Sequence, residues 1–446
     1  MVLSGRIILV YMHRQVEGKM QILKTINIFL LILFFSGCKH GEIVSEISDV
    51  SKKPSSLTLM IYMAADNDLE SYAIQNLKQM EKAVCSGINV LVLFDRAQGY
   101  DETNGNWTDT RLFELCHDDS QSALIVSKRL SCPPLGIDAQ SETELDMSKA
   151  LVLKSFVEYV KDSYKAEQYA LIIWGHGTGW RYMSQGTESG GMRAVAIDDK
   201  SGSYMSLCEL SGALANQGIN VIGFDTCFGG TIETVYELKD STQFVTASAG
   251  LTPGTGWDYT KLLESLSQSD CIPLFVARAM MQSSNVCASV FDCTKLEELA
   301  SGFEDFSREL ACLVTDSRSQ KDMLQTMLSC KSYSYSQYPC DLFLDIYSLT
   351  GMYSRSQSSN LSNAALALEG LLKDTVISSD NENPQVSVHF VPMTGKNTVS
   401  GTHNTDYLKN NNNTDQCAFI KQSRYWVPTS DGNSGSVLDK LFYTQF

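Results

Sequence analysis

Two short segments of the 446-residue chain carry side chains whose type and setting suit acyl transfer: Trp174-Gly175-His176-Gly177-Thr178-Gly179-Trp180 and Phe224-Asp225-Thr226-Cys227-Phe228-Gly229-Gly230. A cysteine placed directly after an apolar strand and before a helical stretch sits where N–H groups and the helix dipole favour the thiolate. A histidine between glycines has no bulky neighbours, and the glycines let backbone amides approach a ligand. The pair predicts His176 as the general base that takes the thiol proton and Cys227 as the nucleophile at a carbonyl carbon. The backbone N–H groups of Gly177 and Cys227 are expected to face the oxyanion, and His176 to return the proton to the leaving amine. Taken singly, such a cysteine is an ordinary core residue and such a histidine an ordinary loop residue. The argument for chemistry is that both stand at the ends of buried strands with glycine collars.

Asp225 precedes Cys227 by two residues, so the period of a strand puts both side chains on one side. That suits an acidic floor for an Arg or Lys side chain, against the plainer role of bracing the next helix. Upstream, Asp66-Asn67-Asp68-Leu69-Glu70 follows an apolar run. Asn67 as N-cap with Glu70 three residues on predicts a capping box rather than a catalytic role for these acids.

The elements that must position these residues alternate in type. Apolar runs at 57–63, 89–94, 169–174, 221–224 and 244–248, with a further strand at 110–115, are interleaved with helical patterns at 69–84 and 145–164. Near-continuous apolar strands separated by helices predict an α/β fold whose mostly parallel sheet is covered on both faces. In such sheets ligands bind beyond the carboxyl ends of the strands. After about residue 270 the pattern turns mainly helical (273–282, 296–314, 361–373), with a strand expected at 385–391. The domain reading is 57–300 for the main domain and 301–446 for a helix-rich region packing on it.

At the N-terminus, Lys24 and the apolar run Ile26 to Phe35 lead into Ser36-Gly37-Cys38, which resembles a bacterial lipoprotein signal peptide. The run is shorter than the roughly 20 residues that span a bilayer. Residues 1–37 are read as a signal preceded by an upstream start, Cys38 as the lipidated residue and 38–56 as a polar tether. The expected location is the cell envelope, anchored through lipid to a bacterial outer membrane. A net charge of −16 leaves no electrostatic footprint for nucleic acid and suits a cationic substrate. The 13 cysteines include no CxxC pair, so zinc is not expected. Cys208, Cys287 and Cys293 lie in apolar surroundings, and most of the cysteines are expected to be buried thiols.

Tyr62-Met63-Ala64-Ala65-Asp66-Asn67-Asp68-Leu69-Glu70, Trp174-Gly175-His176-Gly177 and Phe224-Asp225-Thr226-Cys227 together resemble the clostripain family of cysteine peptidases, of the same clan as caspases. The resemblance spans about residues 57–260. It implies a caspase-like fold, a His176–Cys227 dyad with no third orienting residue, a peptide or protein substrate, and self-cleavage between residues 181 and 203, at Arg181 or Arg193. The family often carries a second acid in the S1 loop, where this chain has Thr255 within Pro253-Gly254-Thr255-Gly256-Trp257. Asp225, Thr255 and Trp257 are thus the expected S1 residues, with specificity for Arg or Lys. No cofactor is needed for the chemistry. Some members use calcium, yet no residue is assigned to a metal and Asp198-Asp199 reads as solvated charge. A monomer is expected. The competing readings are a catalytically silent binding lipoprotein and a cell-envelope transpeptidase or amidase.

Overall fold

The computed structural model describes residues 55–120, 122–183, 191–268, 270–333, 342–378, 383–390 and Phe419. Cys38 and the residues around it lie outside this set. A nine-stranded sheet organises the rest: β1 (Ser55–Ala65), β2 (Ile88–Arg96), β3 (Thr110–Glu114), β4 (Lys128–Leu130), β5 (Ala166–Trp174), β9 (Val221–Asp225), β10 (Phe244–Ala247), β11 (Ser289–Asp292) and β14 (Val376–Ser378). Their spatial order is β14-β11-β10-β9-β5-β1-β2-β3-β4. The five strands from β10 to β2 are mutually parallel. Of the outer strands, β3 and β11 run against them, while β4 and β14 are reversed again, so seven of the nine point one way.

Two-residue periodicity divides the sheet into two cores. Met60, Tyr62, Leu171, Ile173, Ile222 and Phe224 face one side; Leu59, Ile61, Ala170, Ile172, Trp174 and Val221 face the other. The first face is covered by α2 (Ala150–Ser163), α3 (Leu207–Leu214), α4 (Ile232–Glu237), α7 (Leu296–Cys312), α9 (Ile346–Tyr353) and α10 (Ser359–Thr375). The second is covered by α1 (Glu70–Ala83), α5 (Tyr259–Ser267) and α6 (Pro273–Ser283). With both faces sealed, the central strands can be apolar at every position, which is why they read as continuous hydrophobic runs.

The sequence leaves several elements unseen. The stretch from Gly177 to Met205 forms its own small sheet of β6 (Gly177–Met183), β7 (Gly191–Asp198) and β8 (Ser203–Met205). Its glycines and serines hide the strand pattern. In the C-terminal part, α8 (Ser317–Ser329) precedes a three-stranded sheet of β12 (Ser332–Tyr333), β13 (Leu342–Asp345) and β15 (Ser387–Phe390). A boundary at residue 300 falls inside α7, and β14 pairs with β11 as an edge of the main sheet, so the helix-rich C-terminal third completes the central layer. Among the ten cysteines described, only Cys132, Cys271, Cys293 and Cys330 are buried. Cys208 is exposed because helical spacing turns Leu207, Leu210 and Leu214 of α3 inward and Cys208 out. No helix among the described residues is long and apolar enough to cross a membrane.

Candidate active site

Register brings the two glycine-collared segments together. β5 and β9 are neighbouring parallel strands, and Trp174 is the register partner of Asp225. His176 and Cys227 each follow a member of that pair by two residues, so both leave the sheet at the same carboxyl end. The Gly175 N–H donates to the Asp225 carbonyl across the gap at 3.3 Å. A Cβ at Gly177 would lie 2.6 Å from the Cys227 carbonyl oxygen and 2.7 Å from the Thr226 side chain, so only glycine permits this approach. Both reactive residues line one cleft of about 490 Å3, walled by Leu69, Leu251, Thr252 and Val286 and floored by Asp225.

The turn after β9 is strained. Phe228 has φ +56, and its ring is fully buried, stacked on Phe343 with centroids 4.1 Å apart. The Phe228 N–H donates to the Gly250 carbonyl at 2.7 Å and the Gly230 N–H to the Ser248 carbonyl at 2.7 Å. These contacts fix the turn in a conformation that costs a non-glycine residue of order 1 kcal/mol or more. The half-buried Cys227 thiol is held by the Thr252 peptide: the Thr252 N–H donates to Sγ at 3.3 Å, and Sγ–H donates to the Thr252 carbonyl at 3.5 Å.

His176 has a partner that the sequence reading assigned elsewhere. Its Nε2 lies 2.6 Å from Asp68 Oδ1. A carboxylate only accepts, so Nε2 carries the proton and Nδ1 is the imidazole's acceptor nitrogen. The capping box expected at Asn67 and Glu70 does not form. The N-cap of α1 is Leu69, with no side-chain cap. Asn67 accepts from the Leu69 N–H at 3.0 Å and donates to the Ala64 and Ile197 carbonyls, each at 3.1 Å. Glu70 turns away to a buried ion pair with Arg96 at 2.5 Å and accepts from the Asp101 N–H at 2.9 Å, because a buried guanidinium left without a carboxylate would be costly.

Asp225 is buried. Its Oδ2 accepts from the Trp257 N–H and the Tyr259 hydroxyl, each at 3.0 Å, while Oδ1 has no hydrogen-bond partner. Burial pushes its carboxyl up to about 7, against the pull of those two donors. Of the other expected S1 residues, neither Thr255 nor Trp257 is among the residues that line the cleft. Thr255 contributes its carbonyl, which accepts from Asn76 Nδ2 at 3.0 Å, and Trp257 is sealed beneath Gly223. Gly256, at φ +65, packs against Asp225 beside the Trp257 N–H: a Cβ there would lie 2.6 Å from Oδ2. Asn76, which also accepts from Trp174 Nε1 at 2.9 Å, and Tyr259 were invisible as site residues, since an Asn inside a helix and a Tyr at a helix start carry no local signal.

Arg181 and Arg193 are register partners on β6 and β7, and residues 184–190 lie outside the described set. Of the acidic pair read as solvated, Asp199 is exposed but Asp198 is buried, because it ends β7 against the main domain.

The family model for the clostripain peptidases matches residues 61–434. Clostripain of Hathewaya histolytica is 28% identical over 245 residues, which is 50% of this chain and 45% of that protein, so the alignment spans less than half of the relative's length. Two solved structures share the fold. A secreted C11 cysteine protease from Bacteroides thetaiotaomicron in complex with an irreversible peptide inhibitor has a TM-score of 0.57 at 18% identity, covering 83% of this chain and 99% of that one. An inactive zymogen C11 protease from Parabacteroides distasonis has a TM-score of 0.57 at 18% identity, covering 84% and 99%.

Proposed function

The chain belongs to the clostripain family of cysteine peptidases, and from that premise we propose that it is an endopeptidase cutting after Arg or Lys through a His176–Cys227 dyad. The observation that carries the reading is a buried carboxylate oxygen without a hydrogen-bond partner, Asp225 Oδ1, in the floor of the cleft that His176 and Cys227 line. A guanidinium or ammonium group entering that cleft supplies the missing donor and the missing charge together.

In this mechanism Nδ1 of His176 takes the thiol proton, and the contact of Sγ–H with the Thr252 carbonyl is given up. The Thr252 N–H keeps its bond to sulfur, which favours the thiolate. Sulfur attacks the carbonyl carbon, and the developing oxyanion turns to the N–H groups of Gly177 and Cys227. His176 then protonates the departing amine, leaving a thioester that water, deprotonated by the same imidazole, hydrolyses. Asp68 orients His176 and is a positioning residue.

The proposal extends to maturation by self-cleavage between residues 181 and 203, in line with the zymogen form of a relative. Arg181 and Arg193 sit in a paired ladder, so either scissile bond must first leave its strand to reach a cleft. It extends also to lipid attachment at Cys38, which mass spectrometry of the membrane fraction against Cys38→Ser tests.

A positional-scanning fluorogenic peptide library, read together with labelling by an iodoacetamide probe, tests activity and specificity in one experiment. Turnover confined to Arg and Lys at P1 is the expected result, with rapid labelling mapped to Cys227 by peptide mass spectrometry. Exposed thiols such as Cys116, Cys208 and Cys312 should label more slowly, and Cys227→Ala should retain that slower labelling. Equal and absent turnover in wild type and variant would favour a silent binding protein, and products joined to added amines a transpeptidase.

A further inference from the structure

Behind the Asp68–His176 pair lies a second group of acids that the peptidase chemistry does not use. Asp66 ends just past β1, Asp95 lies near the end of β2, and Asp198 ends β7. All three are buried, and each offers a carboxylate oxygen within 4.8 Å of the other two. Asp95 Oδ1 accepts from the Thr110 hydroxyl at 2.7 Å; Asp198 accepts from the Ser201 N–H at 2.8 Å and the Met147 N–H at 3.2 Å. Two oxygens, Asp66 Oδ2 and Asp95 Oδ2, are buried with no hydrogen-bond partner.

Three buried carboxylates require positive charge, and among the described residues the side chains nearby do not supply enough of it. Among the described residues Lys200 is the cation that lowers the cost at Asp66, but it is exposed and salt-bridged to Glu144 at 3.0 Å, which adds a fourth acid. Arg96, next to Asp95 in sequence, points to the other side of β2 and is engaged by Glu70 and the Asp101 and Thr103 carbonyls. Burial first, and the neighbouring acids second, push Asp66 up to about 6 and Asp95 well above the usual carboxylate range. A water molecule could satisfy an orphaned oxygen but not its charge.

We propose that Asp66, Asp95 and Asp198 bind one calcium-sized divalent cation that ties the ends of β1, β2 and β7 together beneath the histidine loop. Oxygen-only donors select a hard cation over zinc or copper. Oxygens bound at about 2.3–2.6 Å stand up to roughly 5 Å apart across such an ion, in keeping with the observed spread. The remaining coordination sites would be filled by water. The position gives the site a structural consequence. Asp66 is two residues from Asp68, its carbonyl accepts from the Asp199 N–H at 2.9 Å, and the hairpin that ends at Asp198 begins at Gly177, directly after His176.

The test uses the full chain with Cys227→Ala, so that self-cleavage cannot change the sample. After removal of metals with a chelator, calcium titration by calorimetry should give one site per chain. Terbium should bind there with luminescence sensitised by Tyr62, whose hydroxyl feels the charges of Asp95 and Asp198. Saturating calcium should raise the thermal midpoint by about 3–5 °C, as expected for a ligand well above its Kd in a chain of this size. Asp95→Asn and, separately, Asp66→Asn should weaken binding at least tenfold and remove that rise. Metal-free, both variants should melt at or above the metal-free parent, because each removes an unpaired buried charge; this shows that they fold. No saturable binding by the parent, or binding that both variants retain, would overturn the site. Displacement of terbium by magnesium as readily as by calcium would overturn the size of the ion.

Discussion

The ends of β5 and β9 each present one reactive side chain, yet they secure it by different means. At the end of β5, His176 is about a third exposed and its side chain is steered by one contact to Asp68, itself 65% exposed. At the end of β9, the residues around Cys227 are fixed by packing: Phe228 is stacked and buried at positive φ, Gly229 and Gly230 are crowded by Phe224 and Ser248, and Asp225 is sealed under two donors. The nucleophile and the specificity acid are thus preorganised by the core, whereas the base is held by an electrostatic contact that solvent and salt can weaken. Substitutions on the two ends should therefore differ in size and in what they disturb.

The largest effect belongs to the β9 end. Cys227→Ala should lower kcat/KM by about 10^5-fold or more, the scale for removing a covalent nucleophile, with the thermal midpoint nearly unchanged because the half-buried sulfur fills little volume. Fluorogenic turnover and calorimetry on one preparation check both halves. Asp225→Asn follows, with a loss of roughly a hundredfold to a thousandfold on Arg and Lys substrates and little change on substrates with neutral P1 side chains. Its stability signature has a definite sign. The folded carboxyl is raised to about 7 from an ordinary value near 3.8, so its ionisation costs stability as pH rises between those values and costs it fully above 7. The melting midpoint of Asp225→Asn should therefore gain on wild type as pH rises from about 4 to 7 and hold that gain above it.

Gly177→Ala probes the seam between the two ends. Its Cβ would meet the Cys227 carbonyl oxygen at 2.6 Å and Thr226, which is buried, at 2.7 Å, so backbone must move. A displacement of about 1 Å between base and nucleophile costs on the order of a hundredfold in rate. Retained turnover with an unshifted midpoint would mean that the two loops are not locked together as their packing indicates.

The strands that carry the site are legible because burial on both faces leaves the central stretches of β1, β5 and β9 almost continuously apolar, and because glycine collars mark where a strand gives way to a loop. Cys227 and His176 could be paired in sequence, but their convergence depends on β5 and β9 being neighbours in register, which no local pattern encodes. Asp68 and Asp66 were in plain view and read as helix-capping chemistry. What distinguishes them is their long-range surroundings: a histidine 108 positions on for one, and two acids from other strands for the other. The β6–β8 sheet was missed for a compositional reason, since Gly and Ser at strand positions erase the apolar alternation. The edge strand β14 was missed because three residues are too few to show a period.

The smallest effect is expected at the contact that steers the base. Asp68→Asn keeps the size of the side chain and an oxygen that can still accept from Nε2, but replaces a charge-assisted hydrogen bond with a weaker neutral one. Because Asp68 is largely exposed, the surrounding water screens its charge, and the loss should be about tenfold or less, far from the scale set by Cys227→Ala. It should fall on kcat with KM little changed, since Asp68 is not among the residues lining the cleft. It should also shrink at about 1 M salt, where the Debye length is near 3 Å and wild type itself loses the benefit. A loss of a thousandfold that is insensitive to salt would instead make the two ends alike, with the base held as firmly as the nucleophile once substrate covers the cleft and excludes water from the Asp68–His176 pair.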